Sequence, residues 1–304
     1  MNDTQKTLTK FATVLGLVLI TYIPMFIWMW DRWMEKESYY GHGFLIPLIS
    51  LFIAYQRRQV LGKIFGSRLQ AAGSRVQGLG SRVQDVSSGL LEKSGTGMGL
   101  ALIVTGVLVH LACAALKLYF ISGFTFVFVL FGTILFAFGK TMARNLIFPV
   151  FFLLAMVPLP LVLIGNLTVA LKLFVAQGAT AILNNIGFPA MRHGSTIQMQ
   201  NSVILVEAPC SGLRSLISLI TLGLLFAYAM KTSYVKKGTL LLLSVPIAMV
   251  TNMIRILGLC IVNELYGEKV AMGLFHDASG YAVFGIAFFL LLACSQFLEG
   301  GKDA

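Results

Sequence analysis

Apolar residues fill eight long runs along this 304-residue chain, and few charges interrupt them. Most of the runs approach the roughly 20 residues that an α-helix needs to cross the hydrocarbon core of a bilayer. The pattern therefore predicts an all-α integral membrane protein with about eight transmembrane helices. The predicted spans lie near residues 11–30, 42–56, 97–116, 118–138, 146–165, 212–230, 238–262 and 277–298.

Two segments between the fifth and sixth spans have a different pattern. Residues 166–187 are apolar but contain Lys172, Gln177 and a pair of asparagines, which favours an interfacial or partly buried helix over a ninth span. Residues 188–209 alternate apolar and polar positions around a Gln-Asn pair, which is typical of two short strands. We expect a small extracytoplasmic β-hairpin that leads directly to Cys210.

The segment 57–96 is basic, and within it residues 66–86 contain three copies of a seven-residue unit that begins Gly-Ser-Arg. A basic helix lying on anionic lipid is one interpretation. Glycine in every copy favours the other, a flexible cytoplasmic loop. The remainder of the chain shows no domain boundary, so we predict a single transmembrane domain over residues 1–304.

Composition supports a membrane location and limits the functional classes. Hydrophobic residues make up 57% of the chain and charged residues only 12%, against about 25% charged in soluble domains. The net charge of +11 is better explained by basic cytoplasmic segments than by nucleic-acid binding. With both termini inside, the inner segments hold 15 of the 23 Lys and Arg residues, and this bias predicts both termini in the cytoplasm. No cleavable signal peptide is expected. The four cysteines are far apart, so we predict no disulfide framework, metal site or cofactor.

Three reactive side chains are predicted to reach the same, outer membrane face. Cys210 precedes the sixth span, Arg255 lies well along the seventh, and His276 precedes the eighth. Each has an ordinary alternative: a packing cysteine, an arginine that reaches the headgroups, and an interfacial histidine beside Asp277. An arginine within an apolar span is nevertheless a functional-site hypothesis by default. A helix start at Cys210 would also favour its thiolate form.

The three side chains fit one chemistry. A cysteine thiolate attacks a peptide carbonyl and forms a thioester, and a histidine carries the proton to the leaving amine. An arginine supplies fixed donors to the developing oxyanion, and it cannot act as the base because it stays protonated.

These residues also resemble the motifs of a known family, the exosortases and archaeosortases, which are multi-pass membrane transpeptidases. The similar stretches, which span about residues 39–298, are "VEAPCSGLRSLISL", "NMIR", "FHDASGYAVF" and, near the N terminus, "YYGHGFLIPLISLFIAYQRR". The resemblance implies that Cys210 is the nucleophile, Arg255 the stabiliser of the oxyanion or substrate carbonyl, and His276 the acid and base.

The resemblance further implies the substrate class and the setting. The substrates would be secreted proteins whose C-terminal sorting tail has a Pro-Glu-Pro-like motif, a hydrophobic helix and a basic cluster. Cleavage would occur at the periplasmic face of a bacterial inner membrane. The lipid bilayer and a glycan or lipid acceptor, such as an anchor or exopolysaccharide, are the other expected partners. No nucleic-acid partner is expected.

Supporting roles on the helices beside the trio have alternatives. Asn252 lies on the helical face of Arg255 and would orient either that residue or the substrate. Ser211 and Gly212 would set the turn after the cysteine, with Ser211 also a plausible helix cap. Arg214 would bind either an acidic residue of the tail motif or lipid headgroups.

Two further residues complete the predicted site. Glu207 would tune His276, hold Arg255, or remain a solvated carboxylate at the end of a strand. His42 lies before the second span and would either line the substrate cleft or make a structural hydrogen bond.

Other functional classes remain open from sequence alone. An anion transporter would explain the spans and the arginine, but no inverted repeat is evident and few polar residues lie at mid-span. A non-catalytic subunit of an envelope or polysaccharide-export assembly would explain the spans. It would not explain why the three reactive side chains cluster at one membrane face. A protease that only hydrolyses would share the catalytic trio, because the acceptor is a separate molecule.

Overall fold

The structure is a computed structural model that describes residues 3–36, 38–62, 82–207 and 209–300. Helices dominate these ranges, and the chain divides into two compact units. The first comprises residues 1–35 and 41–158, and the second comprises residues 36–40 and 159–304. The prediction of a single domain stays a prediction.

In the described residues of the first unit, helices are the only regular secondary structure. Its helices are α1 (Asp3–Thr21), α2 (Ile23–Met34), α3 (Leu45–Gln56), α4 (Arg82–Ala115), α5 (Tyr119–Asn145) and α6 (Ile147–Phe152), and a 3-10 turn, Leu153–Met156, follows α6. Helices α1 and α2 form a pair bent by 59°. The bend follows from Pro24 at the start of α2, because proline lacks an amide hydrogen and its ring clashes with the preceding turn. His110 of α4 donates a hydrogen bond from Nε2 to the Thr21 carbonyl at this break, at 2.9 Å.

The second unit combines helices with a small sheet. Its elements are α7 (Leu161–Asn185), β1 (Met191–His193), β2 (Thr196–Gln198), β3 (Val203–Leu205), a 3-10 turn (Pro209–Ser211), α8 (Leu213–Ala229), α9 (Tyr234–Tyr266), α10 (Glu268–Val270), a π turn (Ala271–Phe275) and α11 (His276–Gly300). The three strands are antiparallel in the order β1-β2-β3. Ile197 of β2 pairs with Ile204 of β3, and both side chains are buried in a core that includes Leu183 of α7 and Ile256 of α9.

The predicted hairpin corresponds to β2 and β3, which pair across residues 199–202. The sequence pattern did not predict β1, which adds a third strand to it. Asn184, near the end of α7, holds the connection to this sheet by bonding both the amide and the carbonyl of Ala190, at 2.8 and 3.0 Å. The membrane side on which the sheet lies stays a prediction.

The predicted count of eight spans is not confirmed. Among the described residues, five helices are long and apolar enough to cross a membrane, or six if the bent pair α1–α2 is one span. The five are Thr96–Ala115, Tyr119–Asn145, Leu161–Asn185, Tyr234–Tyr266 and His276–Gly300. Large apolar side chains on these helices point outward, among them Val162 (76% exposed) and Leu242 (74% exposed). Exposed apolar helices of this length define a multi-pass membrane protein.

The predicted boundary at residues 165 and 166 is wrong. The apolar run of the fifth predicted span breaks at Pro158 and Pro160, because each proline lacks an amide hydrogen and disfavours a helical residue before it. Helix α7 begins directly after Pro160 and continues without a break to Asn185, and it is apolar enough to cross a membrane. Residues 166–187, predicted as an interfacial helix, therefore belong to a helix of spanning length.

The predicted loop 57–96 also ends earlier than expected. Most of the seven-residue repeat lies outside the described residues, but α4 begins at Arg82 and includes the last repeat residues. Helix formation is cooperative, so the long apolar segment that follows extends the helix into this polar stretch.

Candidate active site

Helix α9 supports the candidate site by contacting both other chain segments that carry reactive groups. Cys210 lies in the 3-10 turn before α8, and His276 is the first residue of α11. The Cys210 Sγ lies 3.2 Å from the His276 Nε2. The Arg255 Nη2 lies 3.2 Å from the same His276 nitrogen. The three predicted catalytic side chains are thus in direct contact.

The hydrogen-bond partners of His276 define its role. Arginine is only a donor, so an Arg255 N–H directed at Nε2 requires a lone pair on that nitrogen. The proton of the neutral ring then resides on Nδ1, which faces the Asp277 carboxylate at 3.3 Å. This tautomer places the single lone pair of Nε2 within reach of both the Arg255 N–H and the Cys210 thiol. When the thiol donates to it, Nε2 can take the thiol proton, as general-base activation needs.

Arg255 is held by two further contacts at the start of α11. Its Nη2 donates to the His276 carbonyl at 3.2 Å, and its Nε lies 3.5 Å from the Ser279 hydroxyl, which itself donates to that carbonyl at 3.0 Å. A side chain at Gly280 would begin 3.3 Å from Nη2, so glycine leaves room for the guanidinium. The Nη1 group takes part in none of these bonds and can donate to a substrate carbonyl.

The backbone at Cys210 is fixed from α9. The Asn252 Nδ2 donates to the Cys210 carbonyl at 3.1 Å, and the Cys210 amide donates to the Glu207 carbonyl at 3.1 Å. Gly212 has a φ of 84°, which favours glycine, and a Cβ there would lie 2.8 Å from the Asn252 side chain. Ser211 accepts a hydrogen bond from the Leu213 amide at 3.3 Å, so it stabilises the first turn of α8.

Helix α9 contacts Cys210 and the sheet at different levels along its length. The Asn263 Nδ2 is 3.5 Å from the Val203 carbonyl, whereas Asn252 reaches Cys210, and these two α9 residues are about 16 Å apart at 1.5 Å per residue. The contacts of α9 with β3 and with Cys210 are therefore about three helical turns apart. Cys210 is only 5% exposed.

Glu264 of α9 fixes the sheet. Its carboxylate accepts bonds from the Asn201 amide at 2.9 Å, the Asn201 side chain at 3.0 Å and the Ser202 hydroxyl at 2.6 Å. Asn201 and Ser202 form the turn between β2 and β3. One helix thus holds both the sheet and the cysteine, which sets the path between them.

Three predicted supporting residues are not part of this cluster. Glu207 is exposed and, within the described ranges, its carboxylate forms no ion pair with Arg255 or His276, so its role stays a prediction. Arg214 is exposed on α8 and makes no ion pair with any described residue, and both of its predicted roles stay predictions. His42 belongs to the other compact unit, so its substrate-cleft role stays a prediction.

Sequence reasoning did not assign three residues that the structure places in supporting positions. Asp277 follows His276 directly and could have been proposed as its orienting carboxylate. Ser279 lies one turn beyond His276, at the spacing expected for a shared helical face. No sequence signal marked Glu264, because its partners are more than 60 residues away in the chain.

The donor set does not resemble a metal centre. In the part of the chain that the structure describes, no group of three His, Cys, Asp or Glu residues is arranged to hold a metal ion. The cluster instead joins one thiol, one imidazole and one guanidinium.

A thiol–imidazole–guanidinium cluster at the start of two helices, within a multi-pass protein, defines a candidate membrane cysteine enzyme. The model of the transmembrane exosortase family matches residues 30–293 of this chain. The chain therefore belongs to the transmembrane exosortases, a family generally of membrane cysteine transpeptidases, and the resemblance of its motifs is confirmed. No curated protein and no solved structure was found to match it.

Proposed function

We propose that this protein is a membrane cysteine transpeptidase that cleaves the C-terminal sorting tails of secreted proteins through a thioester on Cys210. The observation that carries the proposal is the placement of His276 Nε2 3.2 Å from both the Cys210 Sγ and the Arg255 Nη2. A nucleophile, a base and a donor to the oxyanion are the three groups that acyl transfer through a cysteine uses, and this cluster supplies one of each.

In the first half-reaction, His276 Nε2 takes the thiol proton and the Cys210 sulfur attacks the scissile carbonyl. Arg255 Nη1, which the internal contacts leave available, donates to the oxygen as it gains negative charge. The imidazolium then gives its proton to the leaving amine, the C–N bond breaks, and the N-terminal part of the substrate remains on sulfur as a thioester.

In the second half-reaction, an acceptor hydroxyl or amine enters the position that the tail amine has left. His276 takes its proton, the acceptor attacks the thioester, and the thiol is regenerated. Transfer to a glycan or lipid and hydrolysis by water follow the same steps, so the acceptor decides between a transpeptidase and a protease.

The proposed setting is a bacterial inner membrane with both termini in the cytoplasm. Asn252 lies about 22 Å along α9 from Lys237, at 1.5 Å per residue. With Lys237 at the cytoplasmic boundary of a core about 30 Å thick, the reaction would take place in the outer leaflet. A tail with a Pro-Glu-Pro-like motif, a hydrophobic helix and a basic cluster would place its motif at that depth.

The test is co-expression with a secreted reporter that carries such a tail, followed by immunoblotting of its size. We expect Cys210→Ala, Cys210→Ser, Arg255→Ala and His276→Ala each to abolish processing while the protein still inserts. Cys294→Ala, at a cysteine remote from this cluster, is the matched control and should process normally. Normal processing by Cys210→Ala would contradict the cysteine mechanism.

A further inference from the structure

Strand β3, which leads to the nucleophile, lies at an edge of the sheet. The order β1-β2-β3 gives it one neighbouring strand in the described residues, and Cys210 follows Leu205 by five residues. We propose that the substrate segment before the scissile bond binds along β3 as a parallel fourth strand, held by the main-chain amide and carbonyl of Leu205. The inference rests on the proposed function, because it assumes that a peptide is cleaved at Cys210.

The main-chain groups of Leu205 point away from the rest of the sheet. The amide of the next residue, Val206, donates to the Ser195 carbonyl at 3.0 Å, so Val206 faces β2. Residues that bond the neighbouring strand alternate along an antiparallel ladder, and Leu205 therefore faces the open edge. Among the described residues, none bonds its amide or its carbonyl. An unpaired edge is a template for an extended peptide, which binds it through main-chain hydrogen bonds.

The edge is open at the end nearer the nucleophile. The Asn263 Nδ2 lies 3.5 Å from the Val203 carbonyl, so α9 occupies the edge at Val203. Leu205, two residues closer to Cys210, is 52% exposed, and Glu207 is also exposed. The available part of the edge therefore begins at Leu205 and leads toward the active site.

Continuity with the catalytic cluster identifies the occupant. A peptide that passes Leu205 and continues in the direction of the chain meets the Cys210 sulfur, so the bound strand is the chain that is cleaved. A substrate with its folded part outside and its apolar tail in the membrane runs from the sheet toward Cys210, as β3 does. The pairing is therefore parallel, and Leu205 bonds two substrate residues that are two positions apart.

The distance from the sheet to the nucleophile sets the register. The α9 contacts of Val203 and of Cys210 are about 16 Å apart, and two extended residues bring Leu205 about 7 Å closer. About three extended residues, at roughly 3.3 Å each, span the rest. The Leu205 amide therefore donates to the carbonyl of about the fifth residue before the scissile bond, and its carbonyl accepts from the amide of about the third.

The first test removes the free amide of Leu205. Leu205→Pro keeps the sheet, because proline is tolerated in an edge strand where its missing N–H would point outward. We expect tail processing to slow about fivefold or more, the usual effect of one lost hydrogen bond, without a matching fall in melting temperature. Arg192→Pro, at the outward-facing position of the opposite edge strand β1, is the matched control and should process at the wild-type rate. Processing by Leu205→Pro as fast as by Arg192→Pro would overturn the proposal.

A proline scan of the reporter tests the same pairing on the wild-type protein, so it does not depend on the folding of a variant. Proline replaces in turn each residue before the cleavage point, which is located by mass spectrometry of the released fragments. Proline at about the third residue removes the amide that reaches the Leu205 carbonyl and should slow processing about fivefold or more. Proline at the two adjacent residues, whose amides point the other way, should have a smaller effect. Equal sensitivity at all of these residues, or at none, would contradict a bound strand.

A photo-crosslink separates failure of this inference from failure of the proposed function, because it needs no catalysis. In Cys210→Ala, p-benzoylphenylalanine is incorporated in place of Leu205 or, as the control, in place of Met191. Met191 is 67% exposed on the same face of the sheet, at the opposite edge. We expect reporter adducts at Leu205 in at least about fivefold excess over Met191.

The outcomes of the crosslink are distinct. Preferential adducts at Leu205 support the bound strand even if Cys210→Ala still processes tails, which would contradict only the function. Equal adducts at both positions, or adducts at Leu205 only with a second copy of this chain, overturn the inference even if Cys210→Ala is inactive.

Discussion

Removal of the Asn252 side chain tests how the nucleophile is positioned. In Asn252→Ala, the Cys210 carbonyl loses its donor at 3.1 Å, and the space beside Gly212 is left empty. The Asn252 amide donates to the backbone carbonyl of Cys210, so we expect its effect on the reaction to pass through that backbone. We therefore expect a slower reaction without a change in the chemical groups that perform it.

The expected size of the rate decrease follows from the burial of Asn252 and Cys210. Asn252 is 2% exposed and Cys210 is 5% exposed, so water cannot replace the lost donor easily. A buried carbonyl without its partner costs about 1–3 kcal/mol. If that cost falls on the reactive geometry, it corresponds to a decrease of about 5- to 150-fold in processing rate, since each 1.36 kcal/mol is tenfold.

The assay is a time course of tail processing, together with a thermal melt of the purified protein in detergent. Thr251→Ala is the control: Thr251 is also buried on α9, but its hydroxyl bonds only to the Ile247 and Ala248 carbonyls of its own helix. We expect it to lose stability without a comparable loss of rate. Asn252→Ala processing at the wild-type rate, or no slower than Thr251→Ala, would refute the positioning argument.

Three further substitutions test neighbouring contacts. Asp277→Asn should slow processing by no more than about fivefold, because the carboxylate beside His276 is 80% exposed and such pairs contribute about 0–1 kcal/mol. A loss of processing rate above 100-fold would show that Asp277 does more than orient the imidazole ring. Gly212→Ala should abolish processing, and the added Asn252→Ala should restore only part of it, because the positive φ remains unfavourable; full restoration would mean that the clash alone matters. Glu264→Ala should lower both the melting temperature and the processing rate, and Glu264→Gln should lie between it and the wild type. An unchanged processing rate in Glu264→Ala would show that the anchoring of the sheet does not affect the active site.

Local sequence patterns predicted the helical membrane class and the contact partners at the site. Cys210, Arg255 and His276 were found because each interrupts an apolar segment near the same predicted depth. Helices that are adjacent in sequence tend to be adjacent in space, which made their meeting a reasonable expectation. The hairpin could be predicted because apolar and polar residues in 188–209 alternate with the two-residue period of a strand.

The errors arose where tertiary contacts decide the outcome. The segment 166–187 reads as interfacial because of its polar residues, yet Asn184 is used to hold the turn into the sheet, and the apolar run continues from Leu161. Glu264 carries no local signal, because its structural role depends on the turn between β2 and β3, which lies more than 60 residues earlier in the chain. Hydropathy also does not record that α9 holds Cys210 about three helical turns away from its contact with β3.

The most direct test of the central claim is to look for the acyl group on the cysteine. Membranes from cells that express the protein with the tailed reporter would be quenched in acid, and the Cys210 peptide would be analysed by mass spectrometry with and without hydroxylamine. The proposal predicts a reporter-derived adduct on Cys210 that hydroxylamine removes and that is absent in Arg255→Ala. Processed reporter without any adduct on Cys210, together with continued processing by Cys210→Ala, would contradict it.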